Sequence, residues 1–431
     1  MKVTLVADSA FIFEHDGIRI LTDPWIGTTI YGGAWMQYPP PVIKPEEVGR
    51  LDYIFISHIH EDHCCSKTIA KLDRNAKIIL MDKKPNYVVN FLRYFNFEFA
   101  DVILLKPREV FRVSPSLAFE VIEADPAHEL NHLIDSSLLI HYGDKSIYFA
   151  NDNPPYPGIY EYLKQYNFEL ALVPPAGGSG YPAFYKNLSL EFKKKRAAQI
   201  LKQYQNTMVE CLRAIRPKYF MCSASSHVLS GKNYLKNYEM SWAENPNAPY
   251  VFLSENLQAG DKFLPLNMKP GTVVDLDHAP GVSLKEAVAF YDDKKGRDEF
   301  IAHVASKVPY CFESLSLSPL VNFEHLLKLA HQRFVSALTR ANANIDWVFQ
   351  IKYAHSKVAT FYFKPPYGLH FDLPVFPEKR IICEMDERLL YLLLTGGFSW
   401  NIADASGFLT YDRVPDEYIY DMYIYMNHIR I

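Results

Sequence analysis

Residues 53–65 read YIFISHIHEDHCC, and this stretch decides how the chain folds. The apolar run 53–56 has the composition of a buried strand and ends at Ser57. His58, His60, Asp62 and His63 follow within six positions. Where a strand gives way to a loop, His58 and His60 can point to one side, while Asp62 and His63 on the turn face a neighbouring position. The spacing suits two metal ions side by side, one on His58 and His60 and the other on Asp62 and His63. Imidazole and carboxylate donors suit zinc and iron, and thiolate is not required. A single histidine or a pair is ordinarily a satisfied core or surface residue; four ligand-type side chains directly after a buried strand are not. The vicinal Cys64 and Cys65 beside them read as packing residues rather than nucleophiles.

A dinuclear site needs further ligands, and three candidates stand at other strand ends. His128 in VIEADPAHELNH follows a Pro-bounded strand end more closely than its competitor His132. Asp152 in SIYFANDN offers a carboxylate able to bridge both metals, and His227 in PKYFMCSASSH lies past another strand. Such a set leaves coordination positions open, as a catalytic site requires. Asp62 and Asp152 are the carboxylates expected to orient the reacting group. Gly177, Gly178 and Gly180 in PPAGGSGYPAFY permit close approach of backbone to a ligand. With Tyr181 and Tyr185 they form an expected substrate-pocket wall centred on Gly178, the plainer alternative being a strand-to-helix connection.

Around these motifs the first half alternates short β-branched runs, such as VTLVAD, AFIFEHDG, KIILMD and LALVPPA, with helical spacing over 68–72, 87–95 and 189–215. From about residue 245 the character changes. A helical run over 321–338 precedes the strands WVFQIKY, KVATFYFK and GLHFDL and a Tyr-rich tail. The expected division is 1–244, a metal-binding catalytic domain with helices on a two-sheet α/β core, and 245–431, an appended α+β domain.

Composition narrows the function classes. Over 431 residues, 49% are hydrophobic and 22% charged, ordinary for a globular protein with a real core. The net charge of −4 argues against a nucleic-acid backbone binder. The basic run Lys193-Lys194-Lys195-Arg196 reads as a solvated helical face. Six cysteines and the lack of a membrane span or secretion signal point to a cytoplasmic protein.

HIHEDH resembles the His-x-His-x-Asp-His motif of the metallo-β-lactamase superfamily, which implies an αββα sandwich with metals at one edge of the two sheets. The resemblance assigns one metal to His58, His60 and His128 and the other to Asp62, His63 and His227, with Asp152 bridging. ILTDPW (20–25) is similar to the branch containing ascorbate-6-phosphate lactonase, with Asp23 expected as a turn or supporting residue. PPAGGSGYPAFY and the tail LLTGGFSWNIADASGFLTYDRVPDEY resemble CMP-N-acetylneuraminate hydroxylase and its bacterial relatives. That hydroxylase carries a Rieske iron–sulfur domain with Cys-x-His and Cys-x-x-His pairs. None of Cys64, Cys65, Cys211, Cys222, Cys311 or Cys383 sits in such a pair. The resemblance therefore implies a non-haem diiron oxygenase or hydroxylase acting on a small polar molecule, its electrons coming from a separate reductase or ferredoxin. The alternative is a hydrolase of phosphodiesters, lactones or amides using zinc, manganese or iron. A degraded motif would signal a fold kept only for binding, and this motif is complete.

Overall fold

Asp16 and Gly17, at φ 49° and 77°, close the hairpin between the strands Ala10–His15 and Ile18–Thr22. Two left-handed residues in a two-residue turn match the twist of the strands they join. This hairpin starts a sheet whose order is Val273–Asp275, Lys2–Ala7, Ala10–His15, Ile18–Thr22, Tyr53–Phe55, Lys77–Met81 and Asp101–Leu105. Pairing is antiparallel up to Ile18–Thr22 and parallel beyond it. Parallel neighbours need crossovers, and the helices Ser66–Ile69 and Tyr87–Tyr94 lie on these. The second sheet runs Tyr219–Cys222, Phe168–Val173, Lys145–Phe149, Ser136–Tyr142, Leu117–Glu123 and Phe111–Ser114. The long helix Leu190–Ile215 forms the crossover between its parallel strands Phe168–Val173 and Tyr219–Cys222. A computed structural model of the protein describes residues 1–127, 136–353, 357–371 and 377–431.

Strand alternation sorts the side chains into layers. Phe11, Phe13, Phe55 and Ile79 of the first sheet meet Phe119, Leu138, Phe149 and Leu170 of the second in a core between the sheets. The outward-facing Ile54, Ile78 and Leu80 pack on Ile69, Val88 and Leu92. On the far side Leu139, Tyr148 and Ala171 pack on Met208, Val209 and Leu212 of the long helix. The result is the expected αββα sandwich.

The C-terminal part builds a third sheet, ordered Leu369–Phe371, Lys357–Tyr362, Val348–Tyr353, Arg380–Glu384 and Thr410–Val414. It packs with the helices Phe323–Arg340 and Glu387–Thr395. Its core is shared with the sandwich: Trp35, Phe184, Leu229 and Trp242 join Phe334, Phe349, Leu393 and Phe408 in one cluster. Residues 245–291, assigned from the sequence to the appended domain, pack on the sandwich instead. Val273–Asp275 pairs with the first strand, and Tyr250, Leu253, Leu284 and Ala287 cover the second sheet.

This topology gathers the site. Ile18–Thr22 and Tyr53–Phe55 are parallel neighbours, so Asp23 and Ser57-His58 emerge at one edge. Lys145–Phe149, Phe168–Val173 and Tyr219–Cys222 are likewise parallel, so Asp152, the glycine-rich loop and the segment leading to His227 emerge together. Carboxyl ends of parallel strands are where α/β folds collect their ligand-binding residues.

Candidate metal centre

Asp23 is fully buried and takes a left-handed φ of 36° at the turn after its strand. Its Oδ1 accepts the Ser57 backbone N–H at 2.8 Å, and its Oδ2 accepts the Ser57 hydroxyl at 2.9 Å and lies 2.8 Å from His63 Nδ1. A buried carboxylate is tolerated only with such partners. The Ser57 hydroxyl proton is committed to Asp23, so at 2.9 Å from His58 Nδ1 the Ser57 oxygen acts as acceptor. That places the His58 proton on Nδ1 and leaves Nε2 bare. Asp23 thus serves as both turn residue and support, fixing the Nε2 atoms of two imidazoles toward the cleft. Such partners are a usual companion of metal-ligating histidines.

Beyond this layer the donor atoms converge. His58 Nε2 lies 2.8 Å from His60 Nδ1, and the His58 and His63 rings are 4.3 Å apart. His63 Nε2 is 3.4 Å from Asp62 Oδ2 and 3.4 Å from Asp152 Oδ2, and the latter oxygen is 3.9 Å from His58 Nε2. Donor atoms of His58, His63 and Asp152 lie within 4.8 Å of one another. Asp152 Oδ2 therefore lies within 4 Å of both His58 and His63. Its Oδ1 is buried with no hydrogen-bond partner among the described residues. An orphaned buried acceptor costs about 1–3 kcal/mol, more when charged, and a cation removes that cost. Nitrogen and oxygen donors with an unanswered buried carboxylate oxygen fit bound metal.

Electrostatics agree with the geometry. Burial pushes the His58 pKa down to about 3, so its imidazole is neutral. Burial works against a charged His63, but the carboxylates of Asp152, Asp62 and Asp23 hold its pKa well above the ordinary value. Burial likewise disfavours an ionised Asp62, yet His63, His60 and His58 keep its carboxyl well below the usual range. A negative cluster that holds a proton in this way is a place where a metal cation can replace it.

His227 lines the same cleft as His60, Asp62 and Asp152. Asp8 Oδ2 lies 3.5 Å from its Nδ1 and Oδ1 accepts the Ser226 N–H at 2.8 Å. Trp35 packs on the His227 ring with centroids 4.7 Å apart. The Tyr31 hydroxyl donates to Asp62 Oδ1 at 2.8 Å. The sequence reading missed Asp8, Ser57, Tyr31 and Trp35, and only Ser57, as the residue between strand and motif, carried any local signal. His128 and His132 lie outside the described residues.

The cleft in front of these residues is about 650 Å³ and is bounded by Gly177, Gly178, Ser179 and Gly180, by Tyr156 and Tyr160, and by Asp404 and Ala405 of the C-terminal part. Gly177 has a steric reason to be glycine, since a Cβ there would come within 2.4 Å of the Tyr204 ring. Tyr181 and Tyr185, read as substrate residues with Gly178, line an adjoining cavity. Cys64 and Cys65 are buried in the packing, and burial raises both thiols.

Residues 18–218 match the family model of the beta-lactamase superfamily domain. The chain is 23% identical over 283 residues to the cytidine monophosphate-N-acetylneuraminic acid hydroxylase of Xenopus laevis, covering 64% of this chain and 46% of that protein. It is 30% identical over 94 residues to a protein of Mycolicibacterium smegmatis named for a Rieske 2Fe-2S centre, covering 22% of this chain and 17% of that protein. The chain thus spans less than half the length of either curated relative. Among solved structures it is similar to an isothiocyanate hydrolase from Delia radicum gut bacteria, with TM-score 0.45 and 14% identity over 64% of this chain and 99% of that one. Residues 18–218 thus match the beta-lactamase superfamily domain and lie in the αββα sandwich, joined to a C-terminal region of mixed sheet and helices.

Proposed function

We propose that this chain is a dinuclear non-haem iron enzyme that hydroxylates a small polar molecule. The observation carrying the metal site is the buried Asp152 Oδ1, without a hydrogen-bond partner among the described residues, beside His58 and His63. The hydroxylase reading draws its support from the similarity to a hydroxylase over 64% of the chain. His58, His60 and His128 would hold one ion, Asp62, His63 and His227 the other, with Asp152 facing both. Two irons there would supply the Lewis acidity and redox capacity that dioxygen activation requires.

The chain's own residues set the conditions. Asp23 and Ser57 fix two imidazoles, the Tyr31 hydroxyl fixes Asp62, and Asp8 steadies His227. Trp25 and Trp35 exclude water on one side of the cleft, and the Trp35 indole N–H donates to the Ala405 carbonyl at 2.9 Å, tying the C-terminal wall in place. Placing one oxygen atom of O₂ in a C–H bond and reducing the other to water takes two electrons from outside. A separate reductase or ferredoxin would supply them in this reading. Among the described residues no helix is long and apolar enough to cross a membrane.

Elemental analysis of protein purified without oxygen tests the proposal. Two irons per chain, with an optical band on exposure to air and reductant-dependent oxygen uptake, is the expected result. Two zincs, indifferent to oxygen, would replace it with the hydrolase reading. No metal would overturn the site.

A further inference from the structure

Beside the metal cleft lies a second cavity of about 430 Å³ that shares Ser179, Gly180 and Asp404 with it. One side comes from the glycine-rich segment and the helix Leu190–Ile215, the other from Tyr411, Arg413 and Tyr423. Its two guanidinium groups differ in how their charge is met. Arg413 is buried; its Nη2 donates to Asp416 Oδ1 at 2.6 Å, and its Nη1 donates to the Tyr423 and Tyr185 hydroxyls at 3.2 and 3.3 Å. Arg196 makes no ion pair among the described residues. Its neighbours are neutral: Gln199 Oε1 at 3.4 Å and the Tyr181 ring, whose centre is 5.9 Å away.

The carboxyls of the cavity do not answer Arg196. Asp416 is taken by Arg413 and by the Tyr181 hydroxyl at 2.7 Å. Asp404 Oδ1 accepts the Tyr411 hydroxyl at 2.7 Å, and burial raises its carboxyl toward the neutral form. Among the described residues, then, no carboxylate pairs with Arg196. The basic run that reads as a solvated face is in fact divided. Lys193 turns inward to Glu239, Lys194 and Lys195 face solvent, and Arg196 lines the cavity.

We propose that this cavity is an anion-recognising part of the active site, in which Arg196 receives a phosphate or carboxylate group of the substrate. A planar guanidinium binds either group through paired N–H donors, and Arg is favoured wherever such recognition is needed. The rest of the substrate reaches the metal cleft along the shared border of Gly180 and Asp404. The substrate class is thus a small anionic molecule. Only its approach to the metals rests on the proposed metal site; anion binding stands apart from it.

Isothermal titration of the full chain with pyrophosphate, and separately with citrate, at constant ionic strength tests this. The expected result is saturable binding of at least one probe, weakened about tenfold or more in Arg196→Gln and partly kept in Arg196→Lys. Lys202→Gln, an exposed position on the same helix, should bind as the parent does. Binding should also persist in His58→Ala/His60→Ala, which separates anion binding from any metal. The probe that binds more tightly identifies phosphate or carboxylate chemistry. Equal binding by Arg196→Gln and the parent, or no saturable binding, would overturn the proposal. So would binding lost in the double histidine variant but retained in Arg196→Gln. Because titration reads binding, its failure leaves the metal-content result standing, and the reverse holds too.

Discussion

On one side of the cleft, His58, His60, Asp62 and His63 come from a single short loop, with His58 and His63 held by the buried Ser57 and Asp23 at 2.8–2.9 Å. On the other, Asp404 and Ala405 arrive from the far end of the chain, and the wall they form joins the sandwich through a shared apolar core and hydrogen bonds from distant residues. These include the Trp35 indole on the Ala405 carbonyl and the Ser406 hydroxyl on the Tyr31 carbonyl at 3.2 Å. The first wall is local in sequence and polar in its support, the second distant in sequence and seated on a shared apolar core. Metal retention should therefore depend on the first wall, and selection of what enters on the second.

The sharpest break in that comparison is His58→Ala with His60→Ala, which should bring metal content to background and abolish activity; full activity in this variant would refute the site. Asp23→Asn keeps the shape but weakens the support of His63. Metal affinity should fall about 10–100-fold, read by competition with a chelator. On the opposite wall, Gly407 has φ 66°, and a Cβ there would lie 2.0 Å from the Phe184 ring. Gly407→Ala should cost about 2–3 kcal/mol in urea denaturation with metal affinity retained. Trp35→Phe deletes one hydrogen bond to that wall and should cost about 1 kcal/mol. If it released metal as readily as Asp23→Asn, the division between the walls would be wrong.

The smallest effect expected is at a buried carboxylate away from both walls. Burial disfavours the charge of Glu120, but His141 at 3.2 Å and the hydroxyls of Tyr162 and Tyr166 keep its pKa below the ordinary 4.5. A lowered folded pKa gives stability that is present above about 4.5 and is lost as pH falls through the folded value. Thermal melts of Glu120→Gln and the parent should therefore differ at neutral pH and converge under acid conditions. A constant difference across that range would mean the carboxylate contributes only shape.

How far the sequence could be read follows the same contrast. The HIHEDH cluster was legible because its donor side chains fall within six positions and a strand fixes where they emerge. Asp152 and His227 were legible as residues just past strands, since one sheet edge gathers such ends. Tyr31 and Asp8 act across separations of 31 and 219 residues, and nothing local marks a hydroxyl or carboxylate as the partner of a distant ligand. Asp404 sits in the short helix Trp400–Ala405 and looks like any helical acid. The pairing of Val273–Asp275 with Lys2–Thr4 covers three residues, too few for alternation to reveal, which is why the expected division at 244 fell on the wrong side of it.

The core shared between the sandwich and the third sheet carries a consequence for truncation. A gene that stopped near residue 244 would leave Trp35, Phe184, Leu229 and Trp242 facing water where Phe334, Phe349 and Phe408 now cover them. A contiguous aromatic patch of that kind invites aggregation. A chain cut there should therefore scatter light and precipitate where the parent stays monodisperse.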